Sequence, residues 1–353
     1  MIFLGDVAHP FSEPPEWTNG HWPWSSQAVI ANLEGSVVFE NSKHLKHRKL
    51  FNHASVVDVL IAANVRAVSL ANNHVMDVRE ALVNTTRMLS SQGIEFTGAG
   101  TNLTEAARPA RIVDADRVYL LLGAGWVTIQ CQPAGKDSPG VNPLSPYRLL
   151  AAIESWRKTE PNSVIVVLLH WNYEMELYPQ PAHRQLAKAA IEVGADAVIG
   201  HHPHCVGGIE FHRGCPIVYS VGNWWLPQGV YFNGKLKFGE HSKIQLALEW
   251  RSKEDPVICH WFTYRTEGHA LIYNGSELLD NCRRIRELTP YSGMNHSEYI
   301  KWFRCNRVKR RALPIYQNYT AVASNSLRDR YVRARHVGLT GLERLGLRKL
   351  LRL

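Results

Sequence analysis

Short apolar segments rich in β-branched residues recur along the chain, and stretches with helical spacing of apolar residues lie between them. The predicted strands are Ile2–Leu4, Ala28–Leu33, Ala67–Leu70, Val118–Leu122, Val164–Leu169, Ala197–Ile199 and Ile217–Val221. The predicted helices are Ser55–Ala63, Val78–Ser91, Tyr147–Trp156 and His183–Val193. This alternation of strands and helices predicts a layered α/β fold with a largely parallel sheet. In the later stretch Lys243–Tyr264, apolar and polar residues alternate, which predicts a half-exposed strand.

Five of these strands end in clusters of acid, amide or imidazole side chains. The clusters are Gly5-Asp6, Asn32-Leu33-Glu34-Gly35, Asn72-Asn73-His74 with Asp77, His170-Trp171-Asn172-Tyr173-Glu174, and Gly200-His201-His202-Pro203-His204. Because ligands bind beyond the carboxyl ends of parallel strands, we expect the clusters to share one edge. Their ligand types suit zinc, manganese or iron, and two such ions bridged by a carboxylate would activate a water.

Most of these clusters also have an ordinary structural explanation when each is taken alone. Gly5-Asp6 is typical of a turn, Asn72-Asn73-His74 could cap a helix, and His170 could be a hydrogen-bonded core histidine. Three imidazoles in His201-His202-Pro203-His204 would weaken the packing of the core and would bring no structural advantage. This cluster therefore predicts a metal-binding or catalytic role. The aromatic loop Trp224–Gly239 could line a cleft or pack at the surface.

The positive charge of the chain is concentrated near its C-terminus. Residues 300–353 hold 14 Lys and Arg against Asp329 and Glu343, or +12, whereas the remainder has 26 positive and 29 negative side chains, or −3. No nucleic-acid motif accompanies this basicity, so nucleic-acid binding is not expected. We predict one domain over residues 1–290 and a basic helical extension over residues 291–353.

The extension contains two predicted helices, Asn295–Arg311 and the Arg- and Leu-rich Leu327–Leu353. A basic amphipathic terminus could lie on an anionic membrane surface, contact a membrane-bound synthase, or pack on its own domain. No apolar run approaches the roughly 18 residues of a membrane span, and no signal peptide is visible. The six cysteines form no C-x-x-C pair. We therefore expect a cytoplasmic protein, peripheral to the inner face of the membrane.

The order of the clusters resembles a known family. Two further motifs accompany the clusters: Gly194-Ala195-Asp196 directly before the strand of the histidine cluster, and Tyr219-Ser220-Val221-Gly222-Asn223-Trp224 after that cluster. Together they resemble the CapA family of bacterial capsule-synthesis proteins, which includes poly-γ-glutamate synthesis components and is related to the calcineurin-like metallophosphoesterases. The resemblance covers residues 1 to about 250. It implies a four-layer α/β/β/α sandwich and two divalent metal ions.

The resemblance also implies roles for individual residues. The metal-ligand positions would be Asp6, Glu34, Asn73, His170, His202 and His204. His74 would stand near the leaving group, where it could protonate the leaving oxygen or steady charge, and Asp77 would orient it. Asn223 and His201 are expected to line the substrate site. Three residues depart from the family pattern: Asn172 replaces a glycine and predicts a different turn, Trp224 replaces a phenylalanine, and His9 lies three residues after Asp6 where the phosphoesterase pattern has two, which argues against a ligand role.

Two functions remain open at this stage. The first is a dinuclear-metal-dependent hydrolase or transferase that acts on a phosphorylated or acidic polymeric precursor of a capsule, poly-γ-glutamate or another surface polymer. The second is a non-catalytic accessory component of a membrane polymer-synthesis complex. The first rests on the filled ligand positions, and the second on a family named for its pathway.

Overall fold

Two β-sheets carry the fold. The computed structural model describes residues 1–19, 22–24, 26–39, 49–308 and 313–344. The strands of the first sheet are β1 (Ile2–Val7), β2 (Val29–Leu33), β5 (Val65–Ser69), β6 (Glu95–Thr97), β15 (Asn223–Trp225), β16 (Ile244–Glu249), β17 (Ile258–Arg265) and β18 (Ala270–Leu278). Their order is β18-β17-β16-β1-β2-β5-β6, and β15 pairs with the end of β1. The half with β1, β2, β5 and β6 is parallel.

The second sheet has a parallel centre and antiparallel edges. Its strands are β8 (Ala110–Asp114), β9 (Arg117–Gly125), β11 (Val164–His170), β12 (Ala197–His201), β13 (Ile209–His212) and β14 (Cys215–Val218). The order is β13-β14-β12-β11-β9-β8. Two short pairs complete the strands: β3 (Ser36–Val38) with β4 (Phe51–His53), and β7 (Ala99–Gly100) with β10 (Gly140–Val141).

Helices cover the outer faces of both sheets, and further short helices lie in the connecting segments. They are α1 (Val56–Ala62), α2 (Ala81–Ser91), α3 (Leu103–Ala106), α4 (Pro146–Thr159), α5 (Pro181–Glu192), the single turn α6 (Tyr231–Gly234), α7 (Arg283–Leu288), α8 (His296–Asn306) and α9 (Val322–Arg344). Helices α1 and α2 contact β5 and β6, whereas α4 and α5 contact β11 and β12. Both α4 and α5 begin with proline, which suits the first turn because its N–H would have no partner there.

The inner faces of the two sheets pack directly on each other. Phe3 and Ile30 of the first sheet share one buried cluster with Leu121, Val166 and Leu168 of the second. The alternate residues of the same strands point away and pack on the helices, since successive side chains of a strand face opposite ways. The predicted four-layer α/β/β/α sandwich is therefore confirmed.

The predicted strands are present, but several end elsewhere. β1 continues to Val7, β11 to His170 and β12 to His201, so the first polar residues of these three clusters belong to the strands themselves. Backbone pairing on both sides holds these ends: Asp6 lies opposite Asn32 on one neighbour and Asn223 on the other. The predicted strand Ile217–Val221 ends earlier, at Val218.

The described C-terminal segment packs on the sandwich through α8 and one face of α9. The predicted helix Asn295–Arg311 is observed as α8, which begins with a capping box formed by Asn295 and Glu298 and ends at Asn306. Tyr299 is buried and donates a hydrogen bond to the Pro179 carbonyl (2.7 Å). Residues 345–353 of the second predicted helix lie outside the described residues, and the boundary at residue 290 stays a prediction. None of the described helices is long and apolar enough to cross a membrane.

A buried ion pair joins α5 to the edge of the second sheet and to the segment before α8. Arg184 donates two hydrogen bonds to Glu210 (2.7 and 2.6 Å) and a third to the Met294 carbonyl (2.9 Å). Tyr219 also donates to Glu210, and the Arg184 guanidinium lies over the Tyr299 ring. Because both charged groups are nearly inaccessible to solvent, each depends on the other to compensate for its lost hydration.

We expect Glu210→Gln to lower the free energy of unfolding by about 3–5 kcal/mol, because it leaves the Arg184 charge buried without its carboxylate. Urea unfolding measures the change. Glu287→Gln is the control, since its pair with Arg283 is exposed and should contribute at most about 1 kcal/mol. Equal, small effects of the two substitutions would contradict the prediction.

Candidate functional site

The carboxyl ends of strands from both sheets meet at one place. His170, at the end of β11, donates from Nε2 to Asn73 Oδ1 (2.8 Å), which follows β5 of the other sheet. His204 follows β12, and its Nδ1 lies 3.1 Å from Oδ2 of Asp6 on β1. Glu34 follows β2 and is fully buried beside them. The structure therefore brings together the clusters that the sequence placed at separate strand ends.

Two glycines allow this close approach. A Cβ atom on Gly5 would stand 2.1 Å from the Gly222 carbonyl oxygen, and one on Gly200 would stand 2.1 Å from the Tyr219 carbonyl oxygen. Both contacts are with backbone, which cannot move aside cheaply. The glycines that precede Asp6 and His201 are thus required by packing, in addition to any turn.

The two buried carboxylates have fewer partners than acceptor sites. Oδ1 of Asp6 accepts a hydrogen bond from Asn32 Nδ2 (2.8 Å). The single Nδ1 of His204 faces two acceptors, Asn223 Oδ1 at 2.9 Å and Asp6 Oδ2 at 3.1 Å. Neither oxygen of Glu34 has a hydrogen-bond partner in the described part of the chain. Burial raises the pKa of Glu34, whereas the pKa of His204, which burial alone would lower, is raised by the Glu34 and Asp6 carboxylates.

The imidazoles of His170 and His202 are held in the neutral form that ligates metals. Burial and neighbouring histidines lower both pKa values well below the usual range. Within the described residues, Nδ1 of each ring is buried without a hydrogen-bond partner. His202 and His204 also adopt left-handed backbone conformations (φ 94° and 57°), which cost energy for residues other than glycine and which cluster at functional sites.

These observations fit a bound metal ion. One ligand atom each from Glu34, His202 and His204 lie within 4.8 Å of one another, and all three residues are buried. Unpaired polar atoms in a protein interior are unfavourable, and a cation satisfies carboxylate oxygens and imidazole lone pairs together. Asp6 and the His170–Asn73 pair adjoin this group through His204 and His202.

His74 stands at the entrance of the site and is oriented by Asp77. Its Nδ1 donates to Asp77 Oδ2 (2.9 Å), which also accepts from the backbone N–H of Leu50 (3.0 Å). This bond leaves Nε2 on the side of the carboxylates, 3.9 Å from Glu34 Oε1. His74 is 19% exposed, so its ring is oriented by Asp77 and part of it is accessible from the cleft. This is the geometry expected of a positioned acid or charge-stabilising group.

The remaining predicted residues have other contacts. Asn223 contacts His204, as described, whereas His201 is buried and donates from Nε2 to the Leu4 carbonyl (3.2 Å). Their roles in substrate binding stay predictions. Asn172 adopts a left-handed conformation (φ 67°), which asparagine tolerates better than most residues and which a glycine could also adopt.

His9 is unsuited to hold a metal, in agreement with its spacing from Asp6. Its Nδ1 accepts a hydrogen bond from Trp225 Nε1 (3.0 Å), and its Nε2 therefore donates to the Glu13 carbonyl (3.0 Å). Both ring nitrogens are thus used by the protein. Burial lowers the pKa of His9 to about 4, which keeps the ring neutral.

Two aromatic residues near the site were not assigned from the sequence. The Phe238 ring stacks on His204 with centroids 4.4 Å apart, and Phe232 lies 6.3 Å from the His74 ring in a tilted arrangement. Both belong to the aromatic loop Trp224–Gly239, so that loop lines the cleft.

Asn72 was also not assigned a role from the sequence. Its side-chain amide donates a hydrogen bond to the Leu33 carbonyl, and its side-chain oxygen accepts hydrogen bonds from two backbone N–H groups. These bonds fix the turn that carries His74.

The fold and the donor set together define an α/β/β/α sandwich with a histidine- and carboxylate-rich strand-end site. Residues 22–228, more than half of the chain, match the family described as bacterial capsule synthesis protein PGA_cap. The chain therefore belongs to this bacterial capsule synthesis family.

Three relatives place the chain within the family. The PGA biosynthesis protein CapA of Bacillus subtilis is 32% identical over 209 residues, which cover 58% of this chain and 54% of the relative. The capsule biosynthesis protein CapA of Bacillus anthracis is 29% identical, with 58% and 52% covered. A probable polyglutamine synthesis accessory protein of Mycobacterium tuberculosis is 28% identical, with 60% of each covered. The chain spans little more than half the length of these relatives.

Solved structures with a similar chain trace are more distant. The calcineurin-like phosphoesterase YfkN from Bacillus subtilis is 12% identical with a TM-score of 0.40, and the match covers 94% of this chain and 98% of that one. A 5′-nucleotidase precursor from Thermus thermophilus is also 12% identical with a TM-score of 0.40, covering 79% and 54%. At this level of similarity, nothing about the activity of the chain follows from them.

The donor set predicts that His202→Ala weakens the binding of Mn²⁺ or Zn²⁺ by at least about 100-fold, because it removes a ligand and not merely a supporting contact. Isothermal titration of metal-stripped protein, with elemental analysis of the purified protein, measures the effect. His212→Ala is the control, since His212 pairs with Glu192 away from the site. Equal metal affinity of the two variants would contradict the ligand assignment.

Proposed function

We propose that this chain is a metal-dependent hydrolase or transferase in the synthesis of a bacterial surface polymer. The observation that carries the proposal is the juxtaposition of unpaired, buried ligand atoms with the oriented His74–Asp77 pair at the entrance. A purely structural cluster would have paired its buried polar atoms.

The residues that would hold divalent ions are those of the predicted ligand set. The set is Asp6, Glu34, Asn73, His170, His202 and His204. The potential ligands fall into two adjacent groups. One is the His170–Asn73 pair, and the other is formed by Glu34, His202 and His204. This grouping supports a proposal of two ions, which could be manganese, zinc or iron. When bound, such ions would polarise a phosphoryl or carbonyl oxygen and favour attack by water.

His74 would act on the leaving group of the substrate. Its Nδ1–H is committed to Asp77, so only Nε2 can deliver a proton or a hydrogen bond to an oxygen in the cleft. Phe232 lies beside His74 and Phe238 stacks on His204, where both rings would limit the access of water to the reacting bond. Asn223 holds the His204 ring through Nδ1 and thereby fixes the direction of its other nitrogen.

The site chemistry and the family both support a proposal for the substrate class. A site that gathers cations suits an anionic group, either a phosphoester or the carboxylates of a glutamate polymer. One relative is named for PGA biosynthesis and another for capsule biosynthesis. We therefore propose a phosphorylated or acidic polymeric precursor of such a polymer as the substrate.

A second candidate is a non-catalytic accessory role in a membrane polymer-synthesis complex. The specific observation in its favour is the name of the mycobacterial relative, a probable accessory protein of polyglutamine synthesis. An accessory protein could keep the fold and the metal while losing the need for His74. The two candidates therefore differ in what they require of that residue.

We expect His74→Ala to lower kcat by about 100- to 10,000-fold, because it removes a positioned acid, while the metal content stays at the wild-type level. Asp77→Asn should cause a smaller loss in the same direction, since the ring remains but its orientation is no longer fixed. Steady-state kinetics on bis(p-nitrophenyl) phosphate, p-nitrophenyl phosphate and poly-γ-glutamate, with the metal-loaded full chain, measure these changes.

His212→Ala serves again as the histidine control and should match wild type. Two results together would refute the catalytic function and favour the accessory role. The metal-loaded protein would have no activity on any of the three probes, and cells that carry only the His74→Ala variant would form polymer normally. Loss of polymer formation in those cells, with normal protein levels, would support catalysis.

A further inference from the structure

Helix α9 is attached to the sandwich along one of its faces. Asp329 Oδ1 accepts hydrogen bonds from Thr128 (2.6 Å) and from Tyr316 (2.7 Å). Val332, one turn further along, is 7% exposed and belongs to the main buried cluster. These contacts fix which face of the helix points inward.

The opposite face of α9 presents apolar side chains to the solvent. Leu327 is 64% exposed, Tyr331 50%, Val337 70% and Leu342 41%. Their spacing of four, six and five residues keeps them on the outward half of the helix, away from Asp329 and Val332. An ordinary surface helix has polar residues on its solvent-facing side. The exposed apolar stripe of α9 therefore indicates a surface that binds a partner.

Positive charge flanks this stripe. Arg330 and Arg333 are exposed, and neither forms an ion pair with any described residue. Asp329 is the only acidic residue between positions 322 and 342, and it is turned inward. The sequence that follows, residues 345–353, adds three basic residues and five leucines without an acid.

We propose that the outer face of α9 binds an anionic lipid surface. The exposed leucine, valine and tyrosine side chains would enter the boundary between headgroups and acyl chains, and the flanking arginines would reach the lipid phosphates. A soluble polyanion would pair with Arg330 and Arg333 but would gain little from exposed Leu327 and Val337. The combination of both features therefore favours a membrane.

The attachment point of α9 links this surface to the candidate site. The helix packs on the short 3-10 helix Val127–Ile129, which directly follows the end of β9. Gly125 of that strand lies opposite His170 in the sheet, so α9 is fixed at the edge where the strand ends gather. A membrane bound through α9 would meet the site edge of the sandwich and not its opposite edge.

Vesicle co-sedimentation of the full chain tests the proposal. We expect binding to vesicles of phosphatidylglycerol and phosphatidylcholine, weakened by added salt, and no binding to phosphatidylcholine alone. Val337→Glu should reduce binding to the anionic vesicles by about tenfold or more, since it places a carboxylate in the apolar stripe. Arg330→Gln with Arg333→Gln should reduce it by about tenfold.

Val113→Glu is the matched control, because Val113 on β8 is 67% exposed and the substitution changes the net charge equally. It should bind like wild type, and unchanged thermal unfolding would show that all variants are folded. The proposal is overturned if wild type does not bind the anionic vesicles, or if Val113→Glu weakens binding as much as Val337→Glu. Equal binding of wild type and Val337→Glu to soluble poly-γ-glutamate, with no vesicle binding, would indicate a polyanion site instead. None of these positions contacts the strand-end site, so the outcome is independent of the proposed reaction.

Discussion

The burial of the Asp6 and Glu34 carboxylates beneath His204 is the interaction on which the rest of the structure depends. Carboxylates are taken out of water only where other groups compensate their charge. Here His204 faces both acids, yet one N–H cannot satisfy Asp6 and Asn223 at once, and the Glu34 oxygens lack hydrogen-bond donors among the described residues. The fold therefore keeps a deficit of positive charge at the point where its two sheets meet, which is the electrostatic signature of a cation site.

Backbone geometry maintains this arrangement at an energetic cost. Glycines at positions 5 and 200 let neighbouring strands approach more closely than any side chain would allow. His202 and His204 are held in left-handed conformations that direct both rings into the junction. Strain of this kind persists only where the surrounding structure fixes it, and here rigid strands on both sides supply that support.

The C-terminal segment shows how a second surface can be added without disturbing the site. The buried Arg184–Glu210 pair and the Tyr299 ring fix α8 against α5. Helix α9 then uses one face for attachment and leaves the other outward. Attachment and exposure are thus separate properties of one helix, and the basic composition of the tail alone does not distinguish them.

The sequence by itself determined the strands and which polar side chains stand at their ends. Apolar runs such as Val164–Leu169, each ended by polar side chains, are short and distinct enough to specify strands, and parallel strands bring such ends together. Tertiary structure decided which atoms remain unpaired, that Phe238 covers His204, that His201 bonds the Leu4 carbonyl, and which face of α9 is outward. Those features depend on contacts between distant segments and on side-chain directions set by the local backbone, which residue type and spacing do not encode.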